Sequence, residues 1–212
     1  MPLGHVQIES SATATRSGDE REHVLGDTQI RVPLSREAEV RVNMPPYRIE
    51  RDGARSAGWD DSGVEARVVL SKTKKVATAV TLFSTLPTGS RSTAERRFQP
   101  GAVLAANFSL SPRAELVVNV GGERPTRDQQ RFSRAITSAS LRFDTSKRLN
   151  LFSEVYFLSR DEPNGPNQKF VAAGAMYLAS RRTAFYARVG SGLGNHIGGL
   201  DYFYALGVAQ WF

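Results

Sequence analysis

Apolar residues recur at every second position through most of the chain. Between residues 37 and 44, Ala38, Val40, Val42 and Met44 alternate with Glu39, Arg41 and Asn43. The same alternation runs through segments near 5–15, 24–34, 61–71, 100–110, 114–121, 132–144, 149–158 and 182–190. In the ninth segment Leu149, Leu151, Val155 and Phe157 oppose Asn150, Phe152, Glu154 and Tyr156. Segments 76–86 and 169–179 are apolar or small on both faces, so their orientation stays open. Period two with no useful stretch of helical periodicity predicts strands. There are about twelve, each roughly ten residues long, the length a tilted strand needs to cross a bilayer.

The closing stretch, 201–212, is the clearest of them. One face carries Tyr202, Tyr204, Leu206, Val208, Gln210 and Phe212, and the other Phe203, Ala205, Gly207, Ala209 and Trp211. A large apolar face with aromatics at both ends is how a strand looks when one side meets lipid. Tyr202, Tyr204 and Phe212 are the expected membrane-interface aromatics. The ending resembles the C-terminal signature of bacterial outer-membrane barrels, with Gln210 departing from it. An edge strand of a soluble barrel is the other reading of these twelve residues.

The connections discriminate. Those near 35, 73, 112, 146 and 181 read as tight turns, and those at 16–23, 45–58, 87–97, 122–130, 159–168 and 190–199 as long loops. The two kinds alternate, as they do in barrels with short periplasmic turns and long extracellular loops. The expectation is all-β: a single closed antiparallel up-and-down transmembrane barrel, one domain over 1–212, in the bacterial outer membrane.

Composition narrows this further. No apolar run approaches the ~18 residues of a membrane-crossing helix, and a mean hydropathy of -0.34 does not argue against crossing strands, whose alternation dilutes it. There is no cysteine, which removes disulfides and thiolate metal sites. The net charge is +7, but the positive residues fall in loops and turns rather than along one groove or helix, so nucleic acid is not an expected partner. Met1-Pro-Leu-Gly-His5 reads as leading straight into a strand without a secretory signal, which an exported barrel requires.

If the apolar stripes face lipid, the opposite faces line a lumen. Glu39, Arg41, Glu65, Arg67, Glu115, Arg142, Glu154 and Arg188 are the candidates to line a translocation path, with Glu9, Asp27, Arg31 and Arg134 on the same faces. Charges of both signs inside a narrow barrel pair across strands, because unpaired buried charge is costly. They act either as a packing network or as a polar constriction that selects solutes. The long loops carry a surplus of arginine, at Arg48, Arg51, Arg55, Arg91, Arg96, Arg97, Arg124, Arg127 and Arg131. Guanidinium groups match phosphate, so outer-leaflet lipopolysaccharide is a candidate partner beside a solvated loop surface.

Catalysis is poorly supported. HExxH and GxSxG are absent, and none of His5, His23 and His196 sits in a hydrolase motif. A lipid hydrolase pairing His196 with a serine such as Ser191 is an alternative with nothing local to single it out. No catalytic residue, metal or cofactor is expected.

The order of elements resembles a known family. Leu3-Gly-His-Val-Gln-Ile-Glu9, the hairpin from Val32 to Val42, Leu86-Pro-Thr-Gly89, Arg113 to Gly121, Arg148 to Tyr156 and the ending Gly207-Val-Ala-Gln-Trp-Phe212 are similar to motifs of the MetA-pathway of phenol degradation outer-membrane family. The resemblance implies an outer-membrane barrel that transports aromatic or other hydrophobic compounds, and it brings no catalytic residues. The expected function is a passive channel for small molecules. The alternatives are a non-conducting structural barrel with a salt-bridged lumen, a soluble ligand-binding barrel and an outer-membrane lipid hydrolase. The expected partners are outer-membrane lipid, lipopolysaccharide, a small-molecule solute and the barrel-assembly machinery, reached through the C-terminal strand.

Overall fold

The computed structural model describes residues 4–160, 162–193 and 200–212. Among the described residues the chain forms β1 (Gln7–Ser17), β2 (Glu20–Pro33), β3 (Ala38–Met44), β4 (Tyr47–Asp52), β5 (Ala54–Trp59), β6 (Ser62–Lys72), β7 (Val76–Leu86) and β8 (Pro100–Ser111). The second half adds β9 (Ala114–Glu123), β10 (Thr126–Arg127), β11 (Gln130–Arg131), β12 (Arg134–Asp144), β13 (Leu149–Leu158), β14 (Gln168–Leu178), β15 (Thr183–Gly192) and β16 (Tyr202–Trp211). Twelve of these pair antiparallel in the order β1-β16-β15-β14-β13-β12-β9-β8-β7-β6-β3-β2, and β1 pairs with β2 to close the cylinder. Closure satisfies the backbone hydrogen bonds of every crossing strand, which a bilayer requires.

The exterior is apolar. Leu206, Val189, Leu82 and Leu104 are among the exposed large side chains, at 67, 59, 56 and 50%. Buried apolar positions are mostly small, such as Ala79, Ala172, Ala184, Ala205 and Ala209, and no large side chain among the described residues is fully buried. This inverts a soluble fold, and lipid is the solvent that suits it. The open orientations resolve: Leu82 faces outward on β7 while Ala79 is buried, and on β14 Tyr177 faces outward while Ala172 is buried.

Two of the expected long loops are strands. Residues 16–23 were expected as a charged loop, but β1 runs to Ser17 and β2 starts at Glu20, leaving only Gly18-Asp19 as the turn, with Gly18 in the left-handed region at φ 61. Most of 45–58 is the hairpin β4–β5, which pairs with the upper part of β2 and extends the sheet above the rim. The 122–130 stretch contains the start of the short β10–β11 hairpin. Above the membrane neither face has to be apolar, so these strands lack the stripe that marks the crossing ones.

Candidate functional site

The inner surface has two unlike walls. The first is ionic and lies on β1, β2, β3 and β6. Arg41 pairs with Glu39 on its own strand and, at 3.1 Å, with Glu65 on β6. These three side chains are only 12, 16 and 15% exposed. Asn43 and Gln29 donate to Glu65 at 2.9 and 3.2 Å, and Arg31 pairs with Glu9 at 3.1 Å. The register sets Arg31 directly opposite Arg41, and Glu39 opposite Arg67. Two opposed guanidiniums repel, and the carboxylates on either side offset that repulsion.

Charged pairs continue around the cylinder. Glu154 on β13 accepts from Arg188 on β15 at 2.7 Å, across the intervening β14. The bridge passes over Ala172 and Gly174, the residues of β14 that neighbour Glu154 and Arg188. Small side chains there leave room for it, which gives the apolar, featureless β14 a purpose. Arg134 donates to Glu123 at 2.8 Å. Glu115 and Arg142 pair at 3.1 Å near the tight-turn end, with Arg142 half exposed.

The second wall is aromatic. Tyr156 stacks on Phe170 at 4.8 Å, Phe170 meets Phe203 edge-on at 6.5 Å, and the Arg188 guanidinium lies 5.0 Å from the Phe203 ring centre. Rings on this side lie over glycines of the neighbouring strand. A Cβ on Gly207 would meet the Tyr186 ring at 2.3 Å, and one on Gly174 would meet Phe152 at 2.4 Å. A ring held flat against the wall lines the lumen instead of filling it.

Two cavities stand in series along the axis. The inner one, about 600 Å³, is lined by Glu9, Gln29, Arg31, Asn43 and Tyr186 among others. The outer one, about 750 Å³, forms the mouth and includes Arg91, Arg96, Arg127 and Phe170. Glu22 and Arg48 line both. Arg48 pairs with Glu22, Asp60 and Glu50. Burial at this junction pushes the Glu22 carboxyl above its ordinary range despite the pull of Arg48. Burial opposes the charge on Arg48, and its three carboxylate neighbours outweigh that, so its pKa is raised. Among the described residues, the three non-glycine residues in the left-handed region, Arg96, Asp128 and Gln129, all line the mouth. Strained backbone of this kind concentrates at binding sites. Asp61 accepts the backbone N–H of Gly89 and Arg96 at 2.8 and 2.9 Å and ties the loop after β7 to the rim.

The lumen candidates thus fall into separate groups. Glu39, Arg41, Glu65 and Arg67 come together on one wall, Glu154 and Arg188 on another, and Glu115 and Arg142 near the tight turns. Tyr202 and Tyr204 lie outward at 44 and 54% exposure and stack at 6.3 Å, and Phe212 is exposed at the opposite end. Arg48 is no solvated loop residue, because it turns into the lumen. Ser191 donates to the Asp201 carbonyl at 2.8 Å, and His196 lies outside the described residues. Sequence reasoning missed Phe170 and Phe203 as site residues. The signal was present for Phe203, a large ring on the otherwise small face of the last strand.

Over residues 1–196 the sequence matches the family described as Putative MetA-pathway of phenol degradation. No curated protein sequence matches the chain. Among solved structures, the NanC porin superposes with a TM-score of 0.69 at 8% identity, covering 96% of this chain and 98% of that one. The KdgM porin, solved with disordered oligogalacturonate, gives 0.65 at 10% identity, covering 98 and 99%. The CymD monoaromatic hydrocarbon channel gives 0.58 at 7% identity, covering 100 and 89%. At these identities the likeness establishes a shared barrel fold.

Proposed function

The chain belongs to the MetA-pathway of phenol degradation family, and from that membership we propose a passive channel through the outer membrane for small molecules. The class we favour is a small aromatic solute carrying a polar group. One observation carries this: each cavity sets one ring among charged and polar side chains, Tyr186 beside Glu9, Gln29 and Arg31 in the inner one and Phe170 beside Arg96 and Arg127 in the outer one, so a flat solute can stack on a ring and hydrogen-bond to its neighbours. In this reading residues 1–212 act as one barrel unit without catalysis. Glu39, Arg41, Glu65 and Arg67 form the constriction beneath the inner cavity, and Glu154 and Arg188 hold the far wall. Glu115 and Arg142 line the exit. Tyr202, Tyr204 and Phe212 seat the barrel between the interfaces, its lipid partners include lipopolysaccharide, and the last strand is the handle for the assembly machinery.

The test is swelling of liposomes holding the refolded barrel, with small aromatic and aliphatic solutes of matched size. Faster entry of the aromatic set supports the proposal, and equal rates remove the aromatic preference. A second reading is a non-conducting barrel, favoured by the Arg41 network, whose Asn43 and Gln29 also form part of the cavity wall. A folded barrel that passes neither solute nor current would decide for it.

A further inference from the structure

Above the rim the outward face of the sheet carries a row of arginines, in which register joins Arg51 and Arg55 of the loop surplus to Arg16 and Arg21. The register sets Arg16 of β1 opposite Arg21 of β2, Arg21 opposite Arg51 of β4, and Arg51 opposite Arg55 of β5. Four guanidiniums therefore sit side by side across four adjacent strands, spanning about 15 Å at the usual strand spacing. Arg16 donates to the Gly18 carbonyl at 3.0 Å and has Tyr202, Asp201 and Asp19 nearby. Arg21, Arg51 and Arg55 are exposed, and among the described residues their side chains make no hydrogen bond or ion pair.

Like charges directly opposite one another destabilise a sheet. The acidic residues of these strands do not relieve the row, because they lie on the other face. Glu22 and Glu50 turn inward to Arg48.

The rows directly beneath are apolar apart from His23. Next toward the membrane come Tyr204, Ala14, His23, Ile49 and Ala57, and then Leu206, Ala12, Leu25, Tyr47 and Trp59. Leu206, Trp59 and Leu25 are exposed at 67, 55 and 44%, and Tyr47 meets Trp59 edge-on at 5.2 Å. Aromatic and apolar side chains with cations immediately above them match a bilayer interface, where acyl chains end and headgroups begin.

We infer that Arg16, Arg21, Arg51 and Arg55 bind the phosphates of a phosphorylated lipid headgroup in the outer leaflet, with Trp59, Tyr47 and Leu25 against its acyl region. Guanidinium forks match phosphate oxygens, and an anion supplies the counter-charge that the side chains of Arg21, Arg51 and Arg55 lack among the described residues. The inference deepens the lipid-partner reading. It requires the barrel to sit in a membrane but not to conduct.

The test uses the full chain refolded in zwitterionic micelles and titrated with diphosphoryl lipid A, read by tryptophan fluorescence. Trp59 reports on the site, while Trp211 lies near the opposite end as background. Wild type should saturate, and monophosphoryl lipid A should bind more weakly. Arg51→Gln with Arg55→Gln should weaken binding about tenfold or more. Arg36→Gln with Arg113→Gln, which removes the same charge at the tight-turn end, should leave it unchanged. Inorganic phosphate at matched phosphate concentration should not compete. Equal binding by the Arg51/Arg55 variant, or equal loss in the Arg36/Arg113 control, would overturn the site. Competition by free phosphate would overturn the lipid as its ligand. Heat-modifiability checks that each variant is folded, and Arg21→Gln gives an independent reading should the double variant misfold. A barrel that never refolds in micelles would instead refute the membrane reading itself.

Discussion

Replacing Arg41 by methionine probes the lumen most directly. Arg41 pairs with Glu39 and Glu65, and all three side chains are less than one-fifth exposed. Methionine keeps much of the volume and removes the charge. Glu65 would retain its bonds from Asn43 and Gln29. Glu39 would turn to Arg67, directly across the ladder, as a replacement. Breaking a buried ion pair by removing one partner costs ~3–5 kcal/mol. Arg67 and lumen water recover part of that, so the expected loss is about 2–4 kcal/mol, within the range of one or two charge-assisted hydrogen bonds. The assay is urea unfolding of the barrel in one fixed detergent or lipid, combined with Glu39→Gln in a double-mutant cycle. The double variant should cost about 1–2 kcal/mol less than the sum of the singles, since both remove the same contact. A loss under about 1 kcal/mol with additive singles would refute the claim that this network carries stability. Conductance of the same variant bears on function: an unchanged value would place the constriction elsewhere.

Other outcomes follow from the same geometry. Gly207→Val should force the Tyr186 ring off the wall and cost about 1–3 kcal/mol through overpacking, seen as a lower unfolding midpoint. Phe170→Ala with Phe203→Ala should abolish any preference for aromatic over aliphatic solutes in liposome swelling while sparing conductance. Because the folded pKa of Glu22 is raised, its contribution to stability is fully present below the ordinary carboxylate range and is lost as pH rises through the raised value. The unfolding midpoint should therefore climb on acidification through that window in wild type and much less in Glu22→Gln. Glu154→Ala should leave Arg188 without its carboxylate, and a lowered unfolding midpoint with unchanged current would mark that pair as structural.

Much of the barrel is legible in the chain because a crossing strand must obey a local rule. One face meets lipid and the other does not, so Val40 and Val42 against Glu39 and Arg41 reveal both strand and orientation within seven residues. The aromatic stripe of the last strand works the same way. The rule lapses above the membrane, where Arg16 to His23 and the β4–β5 hairpin were expected as loops. It is also silent where both faces are small, as on β14, whose Ala172 and Gly174 make sense only once Glu154 and Arg188 bridge over them.

The sequence by itself thus determined the crossing strands, the lipid-facing side of those that alternate cleanly, and the family. Tertiary structure decided which charges meet. The shift of register between Ser11 and Ala12 leaves Gly26 unpaired in β2, at φ 68. One extra residue there reverses the faces of the upper strand. Below the bulge Thr28, Ile30 and Val32 point outward; above it Leu25, His23 and Arg21 do, and Glu22 turns in to Arg48. The arginine row and the lumen junction both depend on that single displaced residue and on pairing partners far away in the chain. Local alternation cannot encode either, because register is set by the whole closed cylinder.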